Sequence, residues 1–287
     1  MNWRNCRLFG VATLFFVTLH TTGQTVTSSS AEHILTNMFD SVYALENVRF
    51  DMYSQERING ELVKSHAVGV MEYSPRNIFI RGFDTQGVLL NEILYKEGTN
   101  NNDALISPNG FPYININLDP EGNTMRRNRH FTILEAGGRY LVDMLKIGMV
   151  TYAKSGDINE RLKVKSKDSL WIVTITNTDY SKHKYLVQPG ENSRTIARKL
   201  GVPEYKMVEL NENIDTFDDV QPGEIIFVPN YYAQKVELVL RKSDNVPIRV
   251  RVFDEKGLYS EYKYAAFETN TQLSSKTFNK ENPAYTF

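Results

Sequence analysis

The sequence predicts an α+β protein, in which helices cover an antiparallel curved sheet (a half-barrel) that a small βααβ unit interrupts. Three observations predict this fold. Apolar and polar residues alternate with a period of two over residues 48–117 and again over residues 235–264. Helical periodicity occurs over residues 31–45 and 131–152. Residues 184–229 lie between the alternating regions and have a pattern of their own.

Composition and charge exclude several classes of function. The chain has 287 residues, of which 41% are apolar and 23% charged, as in globular proteins. Its formal net charge of −1 gives no electrostatic argument for binding nucleic acid. The five histidines show no ligand spacing, so we expect no metal site, and no motif calls for a cofactor. Nucleophile elbows, phosphate loops and dinucleotide fingerprints are also missing from the sequence, and we expect no catalytic residues and no enzyme activity.

The first 23 residues have the pattern of a secretory signal peptide. Arg4 and Arg7 precede an apolar run over residues 8–19, which is too short for a transmembrane anchor. We expect cleavage near Gly23. The only cysteine, Cys6, lies in this leader. We therefore expect an exported, periplasmic or cell-envelope protein that has no disulfide and no transmembrane anchor.

The elements of the sheet follow from their periods in chain order. Residues 31–45 predict a helix with one apolar face, made by Ile34, Leu35, Met38, Val42 and Leu45. Asn59-Gly60 predicts the first hairpin turn. Strands are predicted from residue 48 and then over residues 67–73, 77–83, 88–96, 104–107, 113–117, 162–164, 170–176, 236–240, 248–252 and 258–264.

Residues 185–229 predict a short strand, two short helices and a second short strand. Asn192 is placed to cap the first helix, Gly201 to end it in a left-handed conformation, and Pro203 to begin the second helix. The same two-residue period precedes and follows the unit. The first and last strands of such a unit lie side by side, so it can be inserted in one hairpin at small entropic cost.

This unit resembles the LysM module, which binds N-acetylglucosamine polymers such as peptidoglycan and chitin. The matching residues are Tyr185, Val187, Pro189, Gly190, Ile196, Ala197, Gly201, Val202, Leu210, Asn211, Pro222, Gly223, Val228 and Pro229. The resemblance implies a sugar groove between two loops, with Gly190, Glu191, Asn192 and Ser193 on one side and Asn213, Ile214, Asp215 and Thr216 on the other. The alternative is a module that has lost sugar binding and only packs.

The remaining chain resembles the lipoprotein-carrier (LolA/LolB-like) fold and, within it, an uncharacterised bacterial family. This resemblance rests on Leu118, Asp119, Pro120, Met125, Arg129, His130, Glu135, Ala136, Gly137 and residues 245–250 and 282–287. It implies a host domain over residues 24–183 and 230–287, with the module at 184–229. It also implies a concave apolar sheet able to hold a lipid or lipoprotein acyl chain. A core filled by side chains is the alternative.

Four basic residues, Arg126, Arg127, Arg129 and His130, form the densest basic cluster, just before the second predicted helix. One interpretation is an anion site for a lipid headgroup, phosphate or carboxylate at the helix N-terminus. The other is that the cluster pairs with a carboxylate such as Asp119 and fixes the loop over the sheet.

Together these features lead to one functional hypothesis and one alternative. The hypothesis is an exported non-catalytic envelope protein that binds peptidoglycan-type glycans through its module, with a host domain for a lipid or other apolar ligand. The alternative is a carrier-fold protein whose insert is a structural or protein-interaction element. The joins at residues 180–183 and 230–232 are short and poor in glycine, which predicts restricted motion of the module.

Overall fold

The computed structural model describes residues 24–25, 27–111 and 113–287. The predicted signal peptide lies outside these residues. Within the described ranges, no helix is long and apolar enough to cross a membrane.

One antiparallel sheet of twelve strands is the frame of the host. In spatial order its strands are β1 (Gln24–Thr25), β8 (Leu162–Lys167), β9 (Leu170–Thr176), β12 (Lys235–Arg241), β13 (Pro247–Asp254), β14 (Gly257–Thr269), β2 (Asn47–Ile58), β3 (Glu61–Tyr73), β4 (Arg76–Phe83), β5 (Leu89–Lys96), β6 (Ala104–Pro108) and β7 (Ile116–Leu118). The end strands β1 and β7 do not pair with each other, so the curved sheet stays open, as the sequence predicted.

The helices of the described chain belong partly to the host and partly to the inserted unit. They are α1 (Ser28–Tyr43), α2 (Asn123–Arg126), α3 (Arg139–Ser155), α4 (Ile158–Arg161), α5 (Ser193–Leu200) and α6 (Tyr205–Leu210). The first predicted helix is confirmed as α1. The first hairpin turn is confirmed too, because Asn59 and Gly60 have φ of 51° and 85° and connect paired strands β2 and β3.

The second predicted helix begins later than residue 131. Ile133–Glu135 forms a single 3₁₀ turn, and Gly137 and Gly138, each with φ of 93°, carry the chain to the start of α3. A Cβ atom at Gly137 would lie 2.5 Å from the Tyr73 hydroxyl, so glycine lets this loop approach strand β3. The close approach is a tertiary feature that helical periodicity does not reveal.

Side chains fill the inner face of the sheet where α1 and α3 cover it. Leu35 and Met38 of α1 are fully buried, and so are Leu238 and Leu240 of β12. A second apolar core lies under the loop before α3, around Ile78. Beneath α1 and α3, the structure therefore agrees with the filled-core alternative.

The C-terminal segment covers the outer face of the other half of the sheet. The Tyr285 ring stacks on the Phe79 ring with a centroid distance of 3.7 Å. The Thr286 backbone N–H donates to the buried carboxylate of Glu92 at 2.6 Å. In this half the chain itself covers both faces of the sheet.

The inserted unit connects two strands that pair with each other. Thr176 of β9 lies opposite Lys235 of β12, and the chain between them forms its own two-stranded sheet, β10 (Lys182–Leu186) with β11 (Ile225–Pro229). Its core contains Val187, Ile196, Ala197, Met207, Ile214, Val220, Ile226 and Val228. The unit, called the module below, is therefore inserted in a hairpin. The domain boundaries at residues 184 and 229 stay a prediction.

Truncation of the core at Leu238 is expected to destabilise the host. Leu238→Ala removes fully buried methyl groups and leaves a cavity, which costs about 2–5 kcal/mol of unfolding free energy. Leu62→Ala is the matched control, because Leu62 is 42% exposed and its loss is expected to cost less than about 1 kcal/mol. Urea unfolding of both variants measures the difference. Equal effects would contradict a packed core at β12.

Candidate functional site

The first predicted loop of the groove is held by Glu191. Its carboxylate accepts hydrogen bonds from Lys199 Nζ at 2.7 Å, from the Gln188 backbone N–H at 2.9 Å and from the Tyr185 hydroxyl at 2.8 Å. The bonds from Lys199 and from the Gln188 amide lower the pKa of Glu191 to about 2. Gly190 precedes it, exposed and with φ of 82°. The loop is thus stiffened from within, and its Glu191 carboxylate already has partners.

The end of this loop begins helix α5. Asn192 caps the helix, since its side-chain oxygen accepts the Thr195 backbone N–H at 2.9 Å. The next residue, Ser193, is only 2% exposed. Its hydroxyl lies 2.6 Å from Glu204 Oε1 and 2.8 Å from the Phe217 backbone oxygen. Ser193 therefore lies against Phe217, the residue that follows the second predicted loop, and its side chain is directed into the protein.

In the second predicted loop, fewer hydrogen-bonding groups are free to bind a sugar than the sequence indicates. The backbone N–H groups of Asp215 and Thr216 both donate to Asp219 Oδ2, at 3.0 and 2.6 Å. The bond from the Thr216 amide helps to hold the pKa of Asp219 below its usual value. Ile214 is 3% exposed and belongs to the module core. The exposed side chains of this loop are those of Asn213 and Asp215.

A cleft of about 760 Å³ separates part of the module from the host. Ile214 and Asp215 of the second loop line it on the module side. Asn59, Gly60 and Lys256 line it on the host side. The first loop does not contribute to this cleft.

Helix α6 is attached to the host by four charged side chains, which we call the docking network: Arg57, Lys206, Glu209 and Asp254. Lys206 Nζ lies 2.5 Å from Asp254 Oδ2 and 2.9 Å from Glu209 Oε2. Arg57 bonds Asp254 and lies 3.2 Å from Glu209 Oε1. The side chains are 1% to 7% exposed, so two cations and two anions neutralise each other out of water.

A second attachment involves the basic cluster. Arg126 Nη2 donates to Glu204 Oε2 at 2.8 Å, and these side chains are 1% and 4% exposed. The Arg126 guanidinium also lies over the Phe217 ring, 3.2 Å from its centroid. Arg126 thus connects helix α2 of the host to Phe217 and, through Glu204, to Ser193 of the first loop.

The other members of the basic cluster have different surroundings. His130 is buried, and its Nε2–H donates to the Arg57 backbone oxygen at 2.9 Å. Burial lowers the pKa of His130. Arg129 donates to the Ser65 hydroxyl at 2.6 Å, whereas Arg127 is exposed. Most of the cluster is therefore engaged within the protein. That anions bind here stays a prediction.

Asp119, which the sequence offered as the partner carboxylate for the basic cluster, accepts the Glu121 backbone N–H at 2.9 Å. The carboxylates beside the cluster are Glu204, bonded to Arg126, and Glu56, which lies 4.0 Å from Arg129. These partners are distant in the chain, which is why the sequence did not reveal them. In the part of the chain that the structure describes, no three His, Cys, Asp or Glu residues are grouped to hold a metal ion.

Comparison with known families identifies the module. Residues 185–229 match the family model of the LysM domain, which confirms the resemblance predicted for this segment. No curated protein sequence matches the chain.

Solved structures similar to the chain include the lipoprotein LppX of Mycobacterium tuberculosis, at 8% identity and a TM-score of 0.36, covering 86% of this chain and 98% of that one. A LolA superfamily protein of Nitrosomonas europaea matches at 11% identity and a TM-score of 0.32, covering 89% and 98%. A conserved protein of Thermus thermophilus matches at 10% identity and a TM-score of 0.34, covering 89% and 97%. Likeness at this level assigns neither ligand nor activity.

Removal of one cation from the docking network is expected to destabilise the protein strongly. Lys206→Met leaves the two buried carboxylates with Arg57 as their one buried cation, which costs about 3–5 kcal/mol. Lys256→Met is the matched control. Lys256 also contacts Glu209, but it is 52% exposed, and its loss is expected to cost less than about 1 kcal/mol. Guanidinium unfolding of both variants measures the costs, and a Lys206→Met variant as stable as Lys256→Met would contradict the network's role.

Acid is expected to weaken the docking network. Burial raises the pKa of Asp254, but hydrogen bonds from Arg57 and Lys206 outweigh it and leave the pKa below its usual value. A lowered pKa in the folded state means that this stabilisation is complete above the unfolded-state value of about 4 and is lost as the pH falls through the folded-state value. The difference in unfolding free energy between wild type and Asp254→Asn should therefore be largest near pH 7 and shrink below about pH 4. A difference that stays constant down to pH 3 would exclude this origin.

Proposed function

We propose that this chain is an exported, non-catalytic protein of the cell envelope that binds N-acetylglucosamine glycans of the peptidoglycan type through its module. The observation that carries the proposal is the LysM match at residues 185–229, together with the βααβ fold of that segment. The LysM resemblance implies glycan binding in a groove between two loops.

The groove is proposed to lie where the two loops approach each other. Gly190 and Asn192 are exposed on one loop, and Asn213 and Asp215 are exposed on the other. The Ser193 hydroxyl of the first loop lies 2.8 Å from the backbone oxygen of Phe217, the residue that follows the second loop, so the two loops are close together. Internal hydrogen bonds fix both loops before any ligand arrives, which reduces the entropy lost on binding.

The buried residues of the predicted site cannot contact a sugar through their side chains. The side chains of Ser193 and Ile214 are 2% and 3% exposed, so only their backbone groups can face a sugar. The Glu191 carboxylate accepts a hydrogen bond from the Gln188 backbone N–H within the first loop. The backbone N–H groups of Asp215 and Thr216 donate to Asp219, so they are not free to bind a sugar. Recognition through the side chains therefore falls mainly to Asn213 and Asp215.

Export is the second part of the proposal, and the leader pattern supports it. Arg4 and Arg7 precede the apolar run at residues 8–19, and this order is typical of a secretory signal. Peptidoglycan lies outside the cytoplasm, so the proposed ligand and the proposed export agree. The host is proposed to hold a lipid or other apolar ligand, which must bind outside the filled core beneath α1 and α3.

A second candidate function is that the module is a structural or interaction element without glycan binding. One observation favours it. Lys206, Glu204 and Glu209 of the module are bonded to host residues in the docking network and at Arg126. The module therefore contributes contacts that stabilise the host whether or not a sugar binds.

Sedimentation with purified peptidoglycan sacculi, followed by titration with N-acetylglucosamine oligomers, tests the glycan proposal. The folded wild-type protein should pellet with sacculi. Asn213→Ala removes one exposed hydrogen-bonding group and should weaken oligomer binding about fivefold, the equivalent of about 1 kcal/mol. Lys184→Ala, an exposed change on strand β10 of the same module, should leave binding unchanged.

Two outcomes decide between the candidates. A folded wild-type protein that neither pellets nor binds oligomers would reject the glycan proposal and leave the structural element as the function. Equal weakening by Asn213→Ala and Lys184→Ala would place the glycan away from the loop at residues 213–216.

A further inference from the structure

A second cavity, of about 400 Å³, lies beside the N-terminus of α3 and is lined by three arginines. Arg76 begins strand β4, Arg139 begins α3, and Arg198 comes from helix α5 of the module. The apolar part of the lining includes Leu134 and Met144. The arginines are far apart in the chain, and nothing in the sequence associates them.

Arg76 is held in place by backbone oxygens. Its Nη2 donates to the oxygens of Leu134 at 3.0 Å and of Ala136 at 2.9 Å. Its Nε atom is buried and has no hydrogen-bond partner. Burial lowers the pKa of Arg76, and the positive charge of Arg139 acts in the same direction. The charged form of Arg76 is therefore incompletely compensated.

Arg139, which is also close to the Tyr73 ring, is held in the same way. Its Nη2 donates to the backbone oxygens of Tyr43 at 3.0 Å and of Leu45 at 2.7 Å, and its Nε is also buried without a partner. The guanidinium carbon of Arg139 lies 4.1 Å from the centroid of Tyr73, and that of Arg76 lies 5.4 Å from it. Two cations thus share one aromatic ring and repel each other.

Among the described residues, no carboxylate lies within 4.0 Å of the guanidinium group of Arg76 or Arg139. The Glu97 carboxylate is near Arg76, but it accepts the Arg76 backbone N–H at 2.6 Å. The two acids that line the cavity have other partners. Asp143 accepts the Tyr43 hydroxyl, and Glu135 accepts the Thr132 backbone N–H at 3.1 Å. Glu135 also lies 3.8 Å from Arg198, and burial raises its pKa, which favours its neutral form.

The start of α3 adds to the positive potential of the cavity. Gly138 precedes the helix and has no side chain to cap the first backbone N–H groups. The positive end of the helix dipole therefore acts together with Arg76 and Arg139. Removing two charges from water without an anion is unfavourable, and backbone oxygens compensate only part of that cost.

We propose that this cavity binds an anion, a carboxylate or a phosphate, carried by a molecule with a short apolar segment. Arg76 and Arg139 bind the anionic group beside the N-terminus of α3. Leu134 and Met144 contact the apolar segment, and Arg198 of the module closes the rim. The site goes beyond the glycan proposal and does not depend on it, because the two loops of the groove do not line this cavity.

Isothermal titration calorimetry of the purified protein tests the site with four probes: octanoate, octanol, acetate and inorganic phosphate. Octanoate should bind and octanol should not, because only octanoate carries a charge. Arg139→Gln should weaken octanoate binding at least tenfold, since it removes a charge-assisted hydrogen bond. Lys154→Gln is the matched control, an equal loss of charge at the other, exposed end of α3, and should change the affinity less than twofold.

The probes also distinguish the source of the anion. Octanoate binding at least tenfold tighter than acetate supports a lipid carboxylate as the ligand. Phosphate binding as tight as that of octanoate, with the same loss in Arg139→Gln, supports a free phosphate. Both results support the anion site, and the second would contradict the apolar segment of the proposed ligand.

A further variant keeps the test decisive if Arg139→Gln does not fold. Arg198 is 55% exposed, so Arg198→Gln should fold normally and weaken octanoate binding about threefold. The proposal is overturned if no anion binds to the wild-type protein. It is also overturned if the folded arginine variants weaken binding no more than Lys154→Gln. Sacculus binding should be unchanged in Arg198→Gln, so failure of this site and failure of the glycan proposal are separate results.

Discussion

Four charged side chains, buried where the module meets the sheet, determine how the two parts of the chain are arranged. Lys206 and Glu209 come from helix α6, and Arg57 and Asp254 come from strands β2 and β13. Each charge is tolerable away from water only because the opposite charges are within bonding distance. A module that swung away would separate these charges and expose the apolar surface around Tyr205. The buried charges therefore oppose movement of the module away from the sheet, in the same direction as the short joins at residues 180–183 and 230–232.

The contact between the module and the host also explains why some side chains of the predicted sugar groove are directed into the protein. Ser193 belongs to the first loop, but its hydroxyl donates to the Glu204 carboxylate. The same carboxylate accepts a hydrogen bond from Arg126 of the host. The host therefore supports the base of the loops, and the tips with Asn213 and Asp215 stay exposed. A glycan bound at these tips would be held at a fixed position relative to the sheet, which suits a protein that acts at the cell wall. The same contacts also serve a purely structural insert, so sugar binding itself decides between the two functions.

The arginines at the module contact and beside α3 fall into two groups, those that pair with carboxylates and those that bond backbone oxygens. Arg57 and Arg126 lie against carboxylates and hold the module to the host. Arg76 and Arg139 lie against backbone oxygens, and no carboxylate among the described residues lies within 4.0 Å of their guanidinium groups, so their charge is available to a ligand. In the basic cluster that was prominent in the sequence, Arg126, Arg129 and His130 have hydrogen-bond partners within the protein. The less conspicuous arginines beside α3 form the better anion site. Density of charge along the chain is a poor guide to a site, because distant carboxylates decide which charges remain unpaired.

The sequence by itself determined the local features of this protein. The Asn59-Gly60 turn, the cap at Asn192, the left-handed Gly201 and the alternating strands depend on residues close together in the chain, and all were predicted. Only the tertiary structure decided where α3 begins, because Gly137 is required by a close approach to Tyr73 in a distant strand. The docking network and the arginine cavity depend likewise on residues that are adjacent only after folding. Burial and charge pairing are properties of the whole fold, and so the sequence alone predicted the module and the sheet but not the contacts between them.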